Sequence, residues 1–331
     1  MEFNCGRRFD VIAMGRATCD MYSEQTCLLK DSRTFARYLG GSPANTAAAM
    51  SKLGLKVAFL GCVSDDGMGQ FVRGALERFG IDASHLRTDH EGHRTAITIG
   101  EISGGGKCSS IFYRNSCADL FIRPEDADEE FIASSSALLV SGTSLSHNPA
   151  RSAVFAAASK ARKSGTKVIF DPDFREGTWD DAGDAAAFLA QGASIADVVI
   201  GTEDEFRIFA HALLPKREFD SAACAGELLR RGAGIVVVKH GKAGSTAYEE
   251  GRAVPAPAFH QDNVTKTFGA GDSFAAGFVR ALIKGADLER AQKEGAAAAA
   301  VTISGRSCSD SAPDFKTLEA FLRDHGMEPC A

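Results

Sequence analysis

The stretch Lys266-Thr267-Phe268-Gly269-Ala270-Gly271-Asp272-Ser273-Phe274-Ala275-Ala276-Gly277-Phe278 is a turn of small residues running straight into an apolar helix. Gly269, Ala270 and Gly271 carry little or no side chain, so backbone N–H groups at the helix start can point at an anion while the helix dipole favours negative charge. Phosphoryl transfer needs such a cradle, because charge on the equatorial oxygens must be stabilised as the bond to the leaving group lengthens. Asp272, in the first turn beside it, is placed to accept the proton of an attacking hydroxyl. The same pattern also reads as a tight turn before a helix that Asp272 merely caps. The chain has no Gly-x-x-x-x-Gly-Lys-Ser/Thr loop, so any ATP is held without a Walker-type P-loop.

Upstream of this turn, short β-rich apolar runs alternate with helical patterns, as expected of a parallel sheet flanked by helices. Phe9 to Gly15, Val57 to Val63, Ala137 to Ser141, Lys167 to Asp171, Asp197 to Ile200 and Ile235 to Lys239 read as strands, several apolar on both faces. Pro43 to Leu53, Met68 to Phe79, Pro149 to Lys163 and Ala222 to Arg231 read as helices. The five alanines Ala296 to Ala300 predict a helix packed closely on a neighbour. Met21 to Tyr38 and Thr95 to Tyr113 break the rhythm, the second with a turn at Gly104-Gly105-Gly106. They predict either ordinary hairpins or a small β lid, with lid segments near 16–40 and 92–118. No linker or repeat divides the chain, so residues 1–331 are expected to form one α/β domain.

The 331 residues carry a net charge of -6, which gives no general attraction for nucleic acid. No apolar run is long enough to span a bilayer, and Met1 to Arg8 lacks the apolar core of a secretory signal. The expected location is the cytoplasm. Nine cysteines, odd in number, irregularly spaced and without a Cys-x-x-Cys pair, read as reduced thiols rather than as disulfides or a zinc site.

Lys266 to Asp272 resembles the C-terminal signature Asp-Thr-x-Gly-Ala-Gly-Asp of the PfkB (ribokinase-like) carbohydrate kinases, departing from it at the first position. An N-terminal signature is similar too: Gly40-Gly41-Ser42-Pro43-Ala44-Asn45, then Leu53-Gly54 and Gly61 to Gly69. The resemblance covers nearly the whole chain. It implies a three-layer α/β/α sandwich with a mostly parallel sheet and a β lid, using ATP and Mg2+ on a small-molecule sugar, with a homodimer as the expected assembly. It implies Asp272 as general base and Gly269, Ala270 and Gly271 as the anion hole. Gly40 and Gly41 let the backbone approach the sugar, and Asn45 and Asp20 hold its hydroxyls. Lys239, Gly241 and Gly244 belong to the loop beside the ATP phosphates and ribose, where His240 is not expected to be catalytic. Thr202 and Glu205 occupy the place of the family's Asn-x-x-Glu, with Glu205 organising magnesium; without the resemblance this acidic turn reads as a helix cap. At Lys266 many relatives have an aspartate that helps bind a monovalent cation. An ammonium there would replace the ion's charge and remove a potassium requirement, unless Lys266 points to solvent.

Phe112 to Asp119 and Asp171-Pro172-Asp173-Phe174-Arg175, with Trp179, resemble segments of the sugar-acid kinases of this family. An acid substrate calls for a guanidinium that can grip a carboxylate, which nominates Arg16, Arg114 and Arg175, together with Tyr113. The implied reaction phosphorylates the 6-hydroxyl of 5-dehydro-2-deoxy-D-gluconate, as in inositol catabolism. 2-Keto-3-deoxygluconate is the competing acceptor, other family sugars are further alternatives, and a binding protein without catalysis is the more distant reading.

Overall fold

The computed structural model describes residues 1–104 and 107–327 of the 331. The expected turn at Gly104-Gly105-Gly106 lies largely outside the described residues. The strands are β1 (Phe9–Met14), β2 (Thr18–Ser23), β3 (Phe35–Gly40), β4 (Val57–Ser64), β5 (Asp82–Asp89), β6 (Ile97–Gly104) and β7 (Lys107–Tyr113). β8 (Ser135–Ser141), β9 (Lys167–Asp171), β10 (Val198–Thr202), β11 (Ile235–Lys239), β12 (Ser245–Glu249) and β13 (Arg252–Ala256) follow.

Nine of them form one sheet in the order β13-β12-β11-β10-β9-β8-β1-β4-β5. All neighbours from β11 to β5 are parallel, whereas β12 and β13 close one edge antiparallel. Successive residues of each strand feed opposite cores. Val11 and Ala13 pack with the helices Ser42–Lys52, Gly67–Arg78, Ala270–Ile283 and Leu288–Ile303, while Ile12 and Met14 face Ala150–Ser164, Ala182–Ser194 and Glu203–Leu213. Burial on both faces explains why these strands read as continuous apolar runs.

The alanine run belongs to the helix Leu288–Ile303, which packs on Ala270–Ile283. Their contact is close: a methyl at Gly277 would lie 2.6 Å from the Glu294 carbonyl oxygen. Glu294 is buried and joins Arg280 at 2.7 Å and Arg290 at 3.0 Å, fastening the helix that carries Asp272.

The two irregular stretches form a second sheet of order β3-β2-β6-β7. β2 leaves β1 after three residues, so this sheet stands over the C-terminal ends of the parallel strands. The order of the large sheet reverses about β1, which has β4 on one side and β8 on the other. In open α/β sheets the crevice at such a switch point is where ligands bind.

Candidate active site

The C-terminal ends of five neighbouring parallel strands supply the polar side chains of this crevice. Arg16 and Asp20 follow β1, Thr143 follows β8, Asp171 ends β9 with Asp173 and Arg175 beyond it, Thr202 ends β10 and Lys239 ends β11. Opposite them, the helix Ala270–Ile283 begins at Gly269, whose φ of 77° lies in the left-handed region that glycine tolerates. A recess of about 70 Å3 is bordered by Arg16, Asp20, Tyr22, Gly41, Asn45, Thr98 and Cys308. It shares Ser42, Ser110, Phe112, Arg175, Phe268, Gly269 and Asp272 with a larger cavity of about 390 Å3, which adds Asp171, Thr202, Glu205 and Lys239.

Asp272 stands where the two spaces meet. Its Oδ1 accepts from Ser42 Oγ at 2.7 Å and its Oδ2 from Asn45 Nδ2 at 2.9 Å. Burial raises its carboxyl above the usual range and the charge of Asp173 adds to this, while the two hydrogen bonds oppose it. Asn45 therefore faces the Asp272 carboxylate as well as the recess, and its Oδ1 is buried without a partner among the described residues.

Asp20 is held from both sides, with Oδ1 accepting from Thr18 Oγ1 at 2.8 Å and Oδ2 from Tyr22 OH at 2.7 Å. Burial, then Asp20 itself, pushes the Tyr22 phenol well up, so it remains a donor. The diglycine has a reason that the sequence did not disclose. A Cβ at Gly40 would sit 1.9 Å from Asp20 Oδ1, so this glycine makes room for the carboxylate, and one at Gly41 would meet the Arg16 carbonyl at 2.5 Å.

Arg16, Asp173 and Arg175 form a chain that runs from buried Arg16 and Asp173 to half-exposed Arg175: Arg16 to Asp173 Oδ2 at 3.0 Å and Arg175 to Asp173 Oδ1 at 2.9 Å. Thr143 Oγ1 also donates to Asp173. Burial would raise Asp173, but the Arg175 and Arg16 charges outweigh it and hold the carboxyl below the usual range. The Asp173 charge in turn pushes the Arg175 guanidinium up. Arg16 keeps a buried Nε without a protein partner.

Asp171 was not nominated from the sequence. Its neighbourhood is acidic: burial lifts its pKa to about 7, with Lys239 opposing and Glu205, Asp173 and Asp272 reinforcing. Lys239 closes this group from the far side, and a methyl at Gly271 would lie 3.2 Å from its Nζ, so the ammonium abuts the helix N-terminus. Thr202 and Glu205 form a capping box: Thr202 Oγ1 accepts from Glu205 N at 3.2 Å and Glu205 Oε2 from Thr202 N at 2.7 Å. Glu205 Oε1 also accepts from Phe174 N at 3.2 Å. The cap reading and the pocket reading thus coexist in one side chain.

Several nominated residues lie elsewhere. Tyr113 is 57% exposed and borders neither space, because Ser110 and Phe112 of β7 face the recess and strand parity turns Ile111 and Tyr113 outward. Arg114 is spent on Asp119, at 2.8 Å through Nε, and on the Thr143 carbonyl at 3.1 Å, beside a separate cavity with Trp179 and His147. Gly241 and Gly244 form the turn after β11 and border neither space, and His240 bonds Glu203 and Thr246. Lys266 is fully buried, not solvent-facing, and its Nζ donates to the Phe268 carbonyl at 2.6 Å. Cys308 was missed altogether; burial pushes its thiol up to about 12 although Lys266 opposes, and the sulfur lies 3.3 Å from Tyr22 OH. The eight described cysteines are free.

The description "pfkB family carbohydrate kinase" matches residues 9–314. The chain is 40% identical over 326 residues to the 5-dehydro-2-deoxygluconokinase of Geobacillus kaustophilus strain HTA426, covering 98% of this chain and 97% of that one. It is 37% identical to the 5-dehydro-2-deoxygluconokinase of Bacillus subtilis strain 168, covering 97% and 98%. Among solved structures, a fructokinase with bound ATP from Xylella fastidiosa superposes with a TM-score of 0.86 at 22% identity, covering 97% of this chain and 100% of that one. That likeness shows a common ribokinase-like fold.

Proposed function

This chain belongs to the pfkB family of carbohydrate kinases, and we propose that it transfers the γ-phosphoryl group of ATP to the 6-hydroxyl of 5-dehydro-2-deoxy-D-gluconate. The observation that carries this reading is the position of Asp272 between a small polar recess and a larger cavity that ends on a helix N-terminus and Lys239. The acceptor occupies the recess. Asp20 and the free Oδ1 of Asn45 take its hydroxyls, and Arg175 with the unpartnered Nε of Arg16 takes its carboxylate. Asp272, poised by burial to exchange a proton, removes the one on the attacking oxygen, while Ser42 and Asn45 keep the carboxylate aimed.

The larger cavity takes the triphosphate, with the turn of Gly269, Ala270 and Gly271 and the Lys239 ammonium beside the transferred group. Gly241 and Gly244 shape the turn beside the nucleotide, and Thr202 lines its floor. The acidic surroundings of Asp171 and Glu205, countered within the protein by Lys239, suit a magnesium ion, which when bound supplies charge neutralisation for the phosphate oxygens. We further propose that residues 1–331 act as one catalytic unit, with the four-stranded sheet as its lid. The outward residues Ile111 and Tyr113 of β7 suit a homodimer contact, and the enzyme works in the cytoplasm without membrane or nucleic-acid partners.

The test is ADP release from Mg-ATP with 5-dehydro-2-deoxygluconate, 2-keto-3-deoxygluconate, ribose, fructose and a nucleoside. Preference for the first is expected. Preference for the second moves the protein to the neighbouring sugar-acid activity, turnover only with a neutral sugar overturns the roles of Arg16 and Arg175, and turnover with none leaves a binding protein.

A further inference from the structure

Lys266 is among the largest side chains of the molecule with no exposed surface, and a lysine is almost never buried so completely unless its charge is matched. Among the described residues no carboxylate pairs with it. Its described contact is with a backbone oxygen, the Phe268 carbonyl at 2.6 Å, and the thiol nearest in charge terms, Cys308, stays neutral because burial pushes it up to about 12. Burial pulls the Lys266 ammonium below the usual lysine range, and Asp272 and Asp20 oppose this only through space. A buried cation bonded to a neutral carbonyl gains little for stability, since an apolar side chain of the same length would avoid the desolvation cost.

The carbonyl that it grips belongs to the peptide whose other end is the Gly269 N–H. That amide opens the left-handed turn into the helix Ala270–Ile283, where phosphoryl charge is received. A hydrogen bond to the oxygen of a peptide polarises the N–H of the same peptide, because the two dipoles add along the chain of bonds. Building on the kinase reading above, we infer that Lys266 is a positioning residue, a built-in monovalent cation that acts through the Phe268–Gly269 peptide to strengthen and orient the anion hole. Its charge is felt most where negative charge develops during transfer and much less where ADP is merely bound.

The first measurement is the affinity for MgADP with and without aluminium fluoride, which fills the place of the transferred group, in the wild type, Lys266→Met and Lys266→Ala. The expected result is tightening by fluoride of about 10²-fold or more in the wild type, lost in both variants, with MgADP affinity alone changed less than about threefold. This readout needs no acceptor, so failure of the acceptor assignment leaves it standing. The second measurement is turnover, on whichever acceptor the wild type uses, with ammonium, methylammonium, ethylammonium or potassium added. Lys266→Ala, which leaves room for a small cation, is expected to recover at least about tenfold in kcat with one of them, while Lys266→Met, whose side chain fills the space, does not recover. The wild type is expected to be indifferent to all four. The inference is overturned if either variant keeps the tightening by fluoride, if MgADP affinity falls in parallel with it, or if no added cation restores Lys266→Ala.

Discussion

Asp272 and Asp171 are both carboxyls raised by burial, yet the consequences differ because only one of them faces both cavities. On the proposed mechanism the ionised form of Asp272 is the base, so turnover is expected to rise with pH through its raised pKa and to be lost as pH falls. The acid limb of kcat/KM should therefore lie above the ordinary carboxylate range. Asp272→Asn should lower kcat by at least about 10²-fold while leaving MgADP and acceptor binding largely intact; unchanged turnover would remove Asp272 from the mechanism. For Asp171 the measurable effect is on stability. Its folded pKa of about 7 exceeds the ordinary carboxyl value of 3.8, so between those values the folded state holds a proton that the unfolded chain has released. Stability then decreases as pH rises through this window, and the loss is complete above about pH 7. Asp171→Asn cannot titrate, so the variant should gain on the wild type between pH 5 and pH 8 in melting midpoint, measured without nucleotide or divalent ions. Parallel pH profiles would show that Asp171 is not strained in this way.

The turn from β3 into the helix Ser42–Lys52 couples two elements through one missing atom. Because a Cβ at Gly40 would strike the Asp20 carboxylate of β2, Gly40→Ala should push Asp20 out of its Thr18 and Tyr22 bonds. A rise in acceptor KM of at least about tenfold with ATP KM unchanged is expected, and an equal rise in both would mean that the whole crevice had collapsed. The sequence shows Gly40-Gly41 as a motif but not this reason, which depends on the pairing of β2 with β3. The same limit explains the other differences. The buried parallel strands β1, β4, β8, β9, β10 and β11 were legible because burial on both faces leaves an unbroken apolar run. The edge strand β5, Asp82–Asp89, was not: its burial alternates irregularly and all its residues but Ala83 and Leu86 are polar. β12 and β13 are likewise short, and β13 is the opposite edge strand, where Pro255 is tolerated. Within the site, residues carried by a motif came together around Asp272. Tyr113 did not, because one step along a strand reverses the face; Cys308 stands in no pattern that marks it, and Asp171, although it opens the Asp171 to Arg175 segment, was given no role there because its burial among other carboxylates is set by the fold.

Part of the boundary of the recess beside Asp272, namely Thr98, Ser110 and Phe112, comes from the four-stranded sheet rather than from the helices and the large sheet. On the proposed reading of this sheet as a lid, β6 and β7 shift away from the strand ends to admit the acceptor, and closure over it keeps water from Asp272, where it would otherwise favour ATP hydrolysis. Two molecular properties follow from this arrangement. Hydrolysis of Mg-ATP without acceptor should be slower than transfer by at least about 10²-fold, because the closed state that completes the site forms only over the sugar. Phe112→Ala should narrow that gap from both sides, raising hydrolysis and lowering transfer, since Phe112 borders both spaces and also lies under the Arg16 guanidinium at 5.7 Å. ADP release measured with and without acceptor, in both proteins, decides the matter. Rapid hydrolysis by the wild type would mean that the smaller sheet is a fixed wall, and an unchanged ratio in Phe112→Ala would place the gate in another part of that sheet.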